Sequence, residues 1–160
     1  MNVKGLRVGL GYDVHKFAND RKLILGGVEI PYKYGLAGHS DADVLLHSVC
    51  DALLGAAGLK DIGTHFPNTD KRYKNISSLV LLEKTYYMLK VKNWQVINID
   101  CVIVLEEPKL SRYINKMKKN ISSRLKCSNI SIKATTSEGL GFVGEKRGCI
   151  AYTIALLSKL

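Results

Sequence analysis

The chain has 160 residues, 46% of them hydrophobic and 24% charged, the size and balance of one globular domain (1–160) with a real core. No run reaches the 18 or so apolar residues that a membrane span needs, and residues 1–5 carry no signal-peptide pattern. Against 14 acidic residues stand 24 basic ones, a net charge of +10 that suits a polyanionic partner: nucleic acid, an anionic membrane or a phosphorylated small molecule. Cys50, Cys101, Cys127 and Cys149 are widely spaced with no CxxC, as expected of buried, reduced thiols in a cytosolic protein.

Residues 6–14 read as a strand, and 22–30 as a hairpin bent at Gly26-Gly27. Ser40 is placed as the N-cap of a helix running to about Gly58, with Asp43 in its first turn and Leu45, Leu46, Val49, Leu53 and Ala56 facing inward. Residues 60–74, with Gly63 and Pro67, read as a loop, and at that length a functional one. A second helix spans 77–91 with Leu79, Leu82, Tyr86 and Leu89 inward. The nearly continuous apolar run 96–105 predicts a central strand buried on both faces. Within 109–126, Leu110, Ile114, Met117, Ile121 and Leu125 recur at helical spacing, which makes the many Lys and Arg residues there a solvated helix face. Another strand is expected over 129–136 and a final helix over 147–157. Alternating strands and helices give an α/β fold, an α+β sandwich with a mostly four-stranded mixed sheet packed on helices.

Chemistry concentrates in two segments, Gly11-Tyr12-Asp13-Val14-His15 and Ala37-Gly38-His39-Ser40-Asp41-Ala42-Asp43-Val44-Leu45-Leu46-His47, which hold three Asp and three His. In a strand, Asp13 and His15 leave the same face, roughly 7 Å apart at Cα. His47, on a helix, can close a site from the opposite element. Two His and one carboxylate leave a fourth position open, as a catalytic zinc site requires. On spacing alone, separate surface or core histidines remain the alternative, since D-x-H pairs are common. By spacing, Asp43 or Asp51 is the expected hydrogen-bond support for His47.

Gly139-Leu140-Gly141-Phe142-Val143-Gly144 matches GxGxxG, but only 16 residues follow it. That is too few for the strand and ribose-binding acid of a dinucleotide fold, so a tight turn or a close backbone approach is the better reading. Upstream, Thr135, Thr136 and Ser137 offer hydroxyls to phosphate oxygens, and Glu138 could hold a hard cation; a capped polar loop is the plainer alternative.

These blocks, together with DALLGAAGLKDIG, HFPNTD, EEPKL, IKATTSEGLGF and GCIAYTIALL, stand in an order and spacing that resembles the 2-C-methyl-D-erythritol 2,4-cyclodiphosphate synthase family from about Arg7 to Leu157. The resemblance implies an enzyme of the non-mevalonate isoprenoid pathway. Its substrate is 4-diphosphocytidyl-2-C-methyl-D-erythritol 2-phosphate, whose 2-phosphate attacks the β-phosphorus so that a cyclodiphosphate forms and CMP leaves. It implies Asp13, His15 and His47 as ligands of one Zn²⁺ per subunit, and Glu138 as a holder of Mg²⁺ or Mn²⁺ on the diphosphate. His39 and Thr136 match positions that stabilise the transition state. Substrate-binding positions, besides Asp13, His15 and His39, are Ser40, then Asp61, Ile62 and Gly63, then Phe66, Pro67, Asn68, Thr69 and Asp70. Leu105, Glu106, Glu107, Pro108, Lys109, Leu110 and Ser111, with Thr135, Thr136, Ser137, Glu138 and Phe142, complete the cytidine and diphosphate pocket.

The resemblance also implies a homotrimer, no nucleic acid or membrane partner, and a bacterial cytoplasm, with a processed plastid form as the alternative. Two positions depart from the family. Asn68 stands where Asp is common, and Glu145-Lys146-Arg147 reverses an Arg…Glu order beside a threefold cavity that can hold an isoprenoid diphosphate, which argues against that ligand here. A nucleic-acid module would explain the charge but leaves the Asp/His set unused, and the chain shows no RNP, helix-turn-helix or zinc-finger pattern. A zinc phosphoesterase would keep the metal site but give linear products.

Overall fold

The computed structural model describes residues 5–160; the sequence reading of residues 1–4 lies outside the described residues. Strand β1 (Leu6–Ala18) alternates between two environments. Its odd-numbered residues face the helices, beginning with Gly9 and Gly11. A hairpin of β2 (Leu23–Leu25) and β3 (Val28–Ile30) follows, turning at Gly26 and Gly27, as the sequence predicts. The two-residue β4 (Gly35–Leu36) pairs with the end of β1. Helix α1 (Val44–Ala57) buries Leu45, Leu46, Val49, Leu53 and Ala56 and ends on the left-handed Gly58.

Helix α1 lies almost directly on β1. A Cβ on Gly9 would fall 1.9 Å from the Ala52 carbonyl oxygen, and one on Gly11 would fall 1.8 Å from that of Ser48. Only glycine permits this approach. The same strand face continues with Asp13 and His15, so the close helix brings His47 to them.

The expected N-cap at Ser40 lies three residues too early. Asp43 caps α1, accepting from Leu46 N at 3.0 Å, and its carboxylate also accepts from Gly26 N (3.0 Å) and Gly27 N (2.7 Å). One buried carboxylate therefore fixes the helix start and the hairpin turn together. Residues 60–74 are more ordered than a plain loop, holding α2 (Ile62–His65) and a 3₁₀ turn (Lys71–Tyr73) capped by Asp61 and Asp70. Helix α3 (Ser78–Val91) is capped by Ser77, and β5 (Trp94–Val104) is followed by α4 (Ile114–Leu125), which buries Met117, Ile121 and Leu125. Strand β6 (Ile130–Thr135) runs parallel to β5, and the short α5 (Gly141–Gly144) takes the place of any nucleotide fingerprint.

Two further expectations fail. The segment 147–157 is not a helix but part of β7 (Gly148–Lys159), the middle strand of a five-stranded sheet ordered β4-β1-β7-β5-β6. Its Cys149, Ala151, Thr153, Ala155 and Leu157 are buried while Tyr152 and Ile154 are exposed. Both faces are largely apolar, which masks the period of two, and the small inward residues fit beneath helices. Strand β5 is interior by pairing but buried on one face only, through Val96, Ile99, Cys101 and Ile103. Four long strands and the short β4 thus form a mixed sheet, antiparallel except for β5 and β6, with helices on one side. Its other side stays open: Val8 (69% exposed), Leu10 (68%), Tyr12, Val14, Tyr152 and Ile154 are exposed. Among the described residues, no helix is long and apolar enough to cross a membrane.

Candidate metal centre and two clefts

Asp13 and His15 meet His47 where β1 passes the first turns of α1. Asp13 Oδ2 lies 2.9 Å from His15 Nε2 and 3.0 Å from His47 Nδ1, and the two nitrogens are 3.1 Å apart. Ligands of a tetrahedral zinc with bonds of roughly 2.0–2.1 Å stand about 3.3 Å apart, so the triad fits after spreading by a few tenths of an ångström. Two imidazoles and one carboxylate are a donor set suited to zinc with a position left open. His15 Nδ1 donates to the Ala37 carbonyl at 2.6 Å, which directs Nε2 toward the shared centre.

Charge follows the geometry. Burial pushes the Asp13 carboxyl up, but its contacts with His15 and His47 outweigh that and hold the group at about 2. Burial disfavours the charged His15, yet its bond to Asp13 raises its pKa above the ordinary histidine value. Asp43 and Asp51 do not support His47. Asp43 is spent on the hairpin and the helix cap, and Asp51 accepts from Ile62 N at 2.7 Å. The partners of His47 Nε2 are instead Ser40 Oγ and Ser78 Oγ, each at 3.0 Å. Ser78 gives no local signal as a functional residue, because it contacts His47 only when α3 docks.

Two clefts gather most of the other expected positions. One of about 330 Å³ is lined by Ser40, His47, Ile62, Gly63, Phe66, Pro67, Asn68, Thr69 and Leu81. This joins most of the expected erythritol and phosphate positions to the metal centre. His39 Nε2 donates to the Asp70 carbonyl at 3.0 Å, tying the 38–41 segment to this loop. Asp61 and Asp70 already serve as caps, the first accepting from Thr64 N and the second from Arg72 N.

The other cleft, about 370 Å³, brings together Leu105, Glu106, Pro108, Lys109, Leu110, Ser111, Thr135 and Thr136, with Ile114 and Ala134 added to the expected set. Glu106 accepts from Ser137 N (2.8 Å) and Ser137 Oγ (3.0 Å), which locks the two loops of this cleft to each other. Glu107 is turned away to Lys146 Nζ at 2.7 Å. Glu138 is exposed and accepts from Thr136 Oγ1 at 3.0 Å, and Phe142 lies beyond it on α5. No residue lines both clefts.

Comparison with known proteins bears on the family. The model of the YgbB family matches residues 6–158. The 2-C-methyl-D-erythritol 2,4-cyclodiphosphate synthase of Clostridium botulinum (strain Okra / Type B1) is 56% identical over 154 residues, 95% of this chain and 99% of the relative. That of Clostridium novyi (strain NT) is 54% identical over 157 residues, 96% and 99%. Among solved structures, IspF of Plasmodium falciparum in complex with CDP superposes with a TM-score of 0.84 at 36% identity, covering 97% of each chain. The bifunctional IspDF of Campylobacter jejuni gives a TM-score of 0.93 at 42% identity; it covers 97% of this chain, which spans only 42% of that longer protein. Matched along nearly its whole length, the chain belongs to the YgbB family.

Proposed function

We infer that the chain is a 2-C-methyl-D-erythritol 2,4-cyclodiphosphate synthase. It converts 4-diphosphocytidyl-2-C-methyl-D-erythritol 2-phosphate to the cyclodiphosphate and CMP. The observation that carries the reading is the Asp13–His15–His47 cluster opening on a cleft, in a chain 56% identical to a synthase of that name.

No side chain is needed as a nucleophile. An oxygen of the substrate's 2-phosphate bonds to the β-phosphorus, and the bond from that phosphorus to the α-phosphate oxygen breaks, its electron pair leaving with CMP. The protein's task is to fold the substrate and offset repulsion between its phosphates, and orientation in such intramolecular reactions is worth roughly 7–11 kcal/mol. Zinc held by Asp13, His15 and His47 would withdraw charge from the attacked phosphate, and Mg²⁺ or Mn²⁺ beside Glu138 would neutralise the diphosphate. Ser40 and the 61–70 loop receive the methylerythritol phosphate. The 105–111 loop with Thr135 and Ser137 holds the cytidine diphosphate. His39 and Thr136 stabilise the transition state in which charge grows on the phosphate oxygens. The net charge of +10 draws in the polyanion.

The working form in this reading is a homotrimer with sites at subunit boundaries. Two features support it: the uncovered apolar sheet face, and a site divided between clefts that share no lining residue. A bacterial cytoplasm is its proposed location, on the strength of the clostridial relatives.

Incubation with the cytidyl substrate, followed by mass spectrometry and phosphorus NMR, tests the reading. CMP and a cyclic diphosphate are expected. Inorganic phosphate or two linear products would identify a hydrolase instead and overturn it.

A further inference from the structure

The two imidazoles of the cluster present opposite nitrogens to its centre, and each must be held in a different tautomer. For His15 the device is direct: Nδ1 faces the Ala37 carbonyl, which can only accept. For His47 the partner of the outward nitrogen is a hydroxyl, and a hydroxyl can donate or accept. By itself a serine would leave the tautomer open.

Asp41 removes that freedom. Its carboxylate accepts from Ser78 Oγ through a very short contact and from Ser78 N at 2.9 Å. The Asp41 main-chain N–H is anchored in turn on the Ile76 carbonyl at 3.1 Å. Ser78 is wholly buried, so no solvent competes for its hydroxyl. A carboxylate in its charged form offers no proton, and the single Ser78 proton is therefore committed to Asp41. What Ser78 turns toward His47 Nε2, 3.0 Å away, is a lone pair. A neutral ring that bonds to this lone pair carries Nε2–H, which leaves the lone pair of Nδ1 for the centre of the cluster, where it accepts from His15 Nε2–H, 3.1 Å away, or binds a metal.

We propose that Asp41 and Ser78 are positioning residues for the metal centre: a carboxylate–hydroxyl–imidazole chain that fixes the tautomer and orientation of His47. The inference rests on reading the cluster as a metal site. It has a consequence for Ser40, whose Oγ is also 3.0 Å from His47 Nε2. A protonated Nε2 has no lone pair, so Ser40 can only accept from it, as it accepts from Ala42 N at 3.1 Å. The Ser40 proton is left for an acceptor in the cleft that Ser40 helps to line, such as a substrate phosphate oxygen. The same chain ties this chemistry to α3, because Ser78 is the first residue of that helix.

The test uses the full chain, with zinc affinity measured by chelator competition and ring tautomers read in the apo protein by long-range ¹H–¹⁵N correlation. In the parent, His47 should appear as the Nε2–H form, and His15 should keep Nδ1–H, with Nε2–H as well where its second proton is shared with Asp13. Ser78→Ala and Asp41→Asn should each mix the His47 tautomers and weaken zinc binding roughly 10–100-fold, while Ser78→Thr, which keeps the hydroxyl, restores both. Ser77→Ala is the control for mere loosening of α3, since the Ser77 side chain caps that helix through Leu79 N without touching His47. It should leave zinc affinity unchanged.

A parent His47 in the Nδ1–H form overturns the proposal. So does zinc binding within about twofold of the parent in both Ser78→Ala and Asp41→Asn, or a loss in Ser77→Ala as large as in Ser78→Ala. Should Ser78→Ala fail to fold, Asp41→Asn decides by the same two readouts. A parent that binds no zinc sinks the metal reading itself, and the apo tautomers still decide on the chain of hydrogen bonds.

Discussion

The metal cluster and the phosphate-binding end of the candidate site are built on opposite plans. Asp13, His15 and His47 stand on a long strand and a 14-residue helix, their side chains 13–25% exposed and already within 3.1 Å of one another. Thr136 and Glu138 stand on a connecting segment, exposed, with each other as hydrogen-bond partners. The first region is organised before any ligand arrives, because helix packing and buried hydrogen bonds hold it. The second is a turn held through Ser137, which bonds to Glu106 and to Leu140, while its exposed Thr136 and Glu138 side chains would take their working shape around a charged ligand. Rigid elements position a tightly bound ion; a polar loop suits a substrate that must enter and leave.

The sharpest way to break this contrast is to disturb the helix–strand contact. Gly11→Ala places a methyl group 1.8 Å from the Ser48 carbonyl, backbone against backbone, so α1 must move. A loss of about 3 kcal/mol or more is expected, together with loss of zinc, by thermal unfolding and metal analysis. Gly139→Ala meets nothing within 4 Å and is strained only by its φ of +75°, so it should cost about 1–2 kcal/mol and leave zinc in place. Equal effects would show that α1 does not rest on β1 as described.

Next in size, His47→Ala should lose zinc and turnover while keeping the fold, since its ring serves the centre and not the core. Glu138→Gln should retain zinc, lower activity sharply and weaken the response to added Mg²⁺ or Mn²⁺. An unchanged metal titration in Glu138→Gln, or full zinc in both His47→Ala and Asp13→Ala, would erase the distinction between the two regions.

The pH dependence of the cluster has a defined sign. His15 titrates above the ordinary histidine value, so near neutrality a proton competes with the metal; zinc affinity should rise with pH through that raised value and then level off. Asp13 is held at about 2 against an ordinary value of 3.8, so its contribution to apo-protein stability is present above 3.8 and is lost as pH falls through about 2. That limb is worth about 2 kcal/mol, and Asp13→Asn should flatten it in acid unfolding curves. Zinc affinity that falls as pH rises from 6 to 8 would contradict the proton competition.

The smallest expected effect on the reaction comes from the reversed charges after α5. Glu145 and Arg147 pair with each other at 2.7 Å, and Lys146 is held by Glu107, so each cation beside Glu145 already has an acidic partner. An isoprenoid diphosphate placed in a threefold cavity would then meet the Glu145 carboxylate. Geranyl diphosphate should bind weakly by calorimetry, and Glu145→Arg should tighten it with ring closure nearly unchanged. Tight binding to the parent, indifferent to the substitution, would mean that another group anchors the diphosphate.

Features that depend on neighbours along the chain were legible without the fold. The alternation of β1 sets Asp13 and His15 on one face. The glycine pair bends the hairpin, and the helical stripes of α1, α3 and α4 appear as spacing. His47 could be joined to the strand pair because helix and strand periods are both local. The tertiary structure decided the rest. It made residues 148–159 the middle strand of the sheet, because pairing with β1 and β5 on both sides outweighs a segment whose two faces are both apolar. It assigned Asp43 to the hairpin and gave His47 to Ser78 and Asp41. Those bonds join residues 31 and 37 positions apart, a distance over which hydrogen-bond partners leave no periodic trace in the sequence.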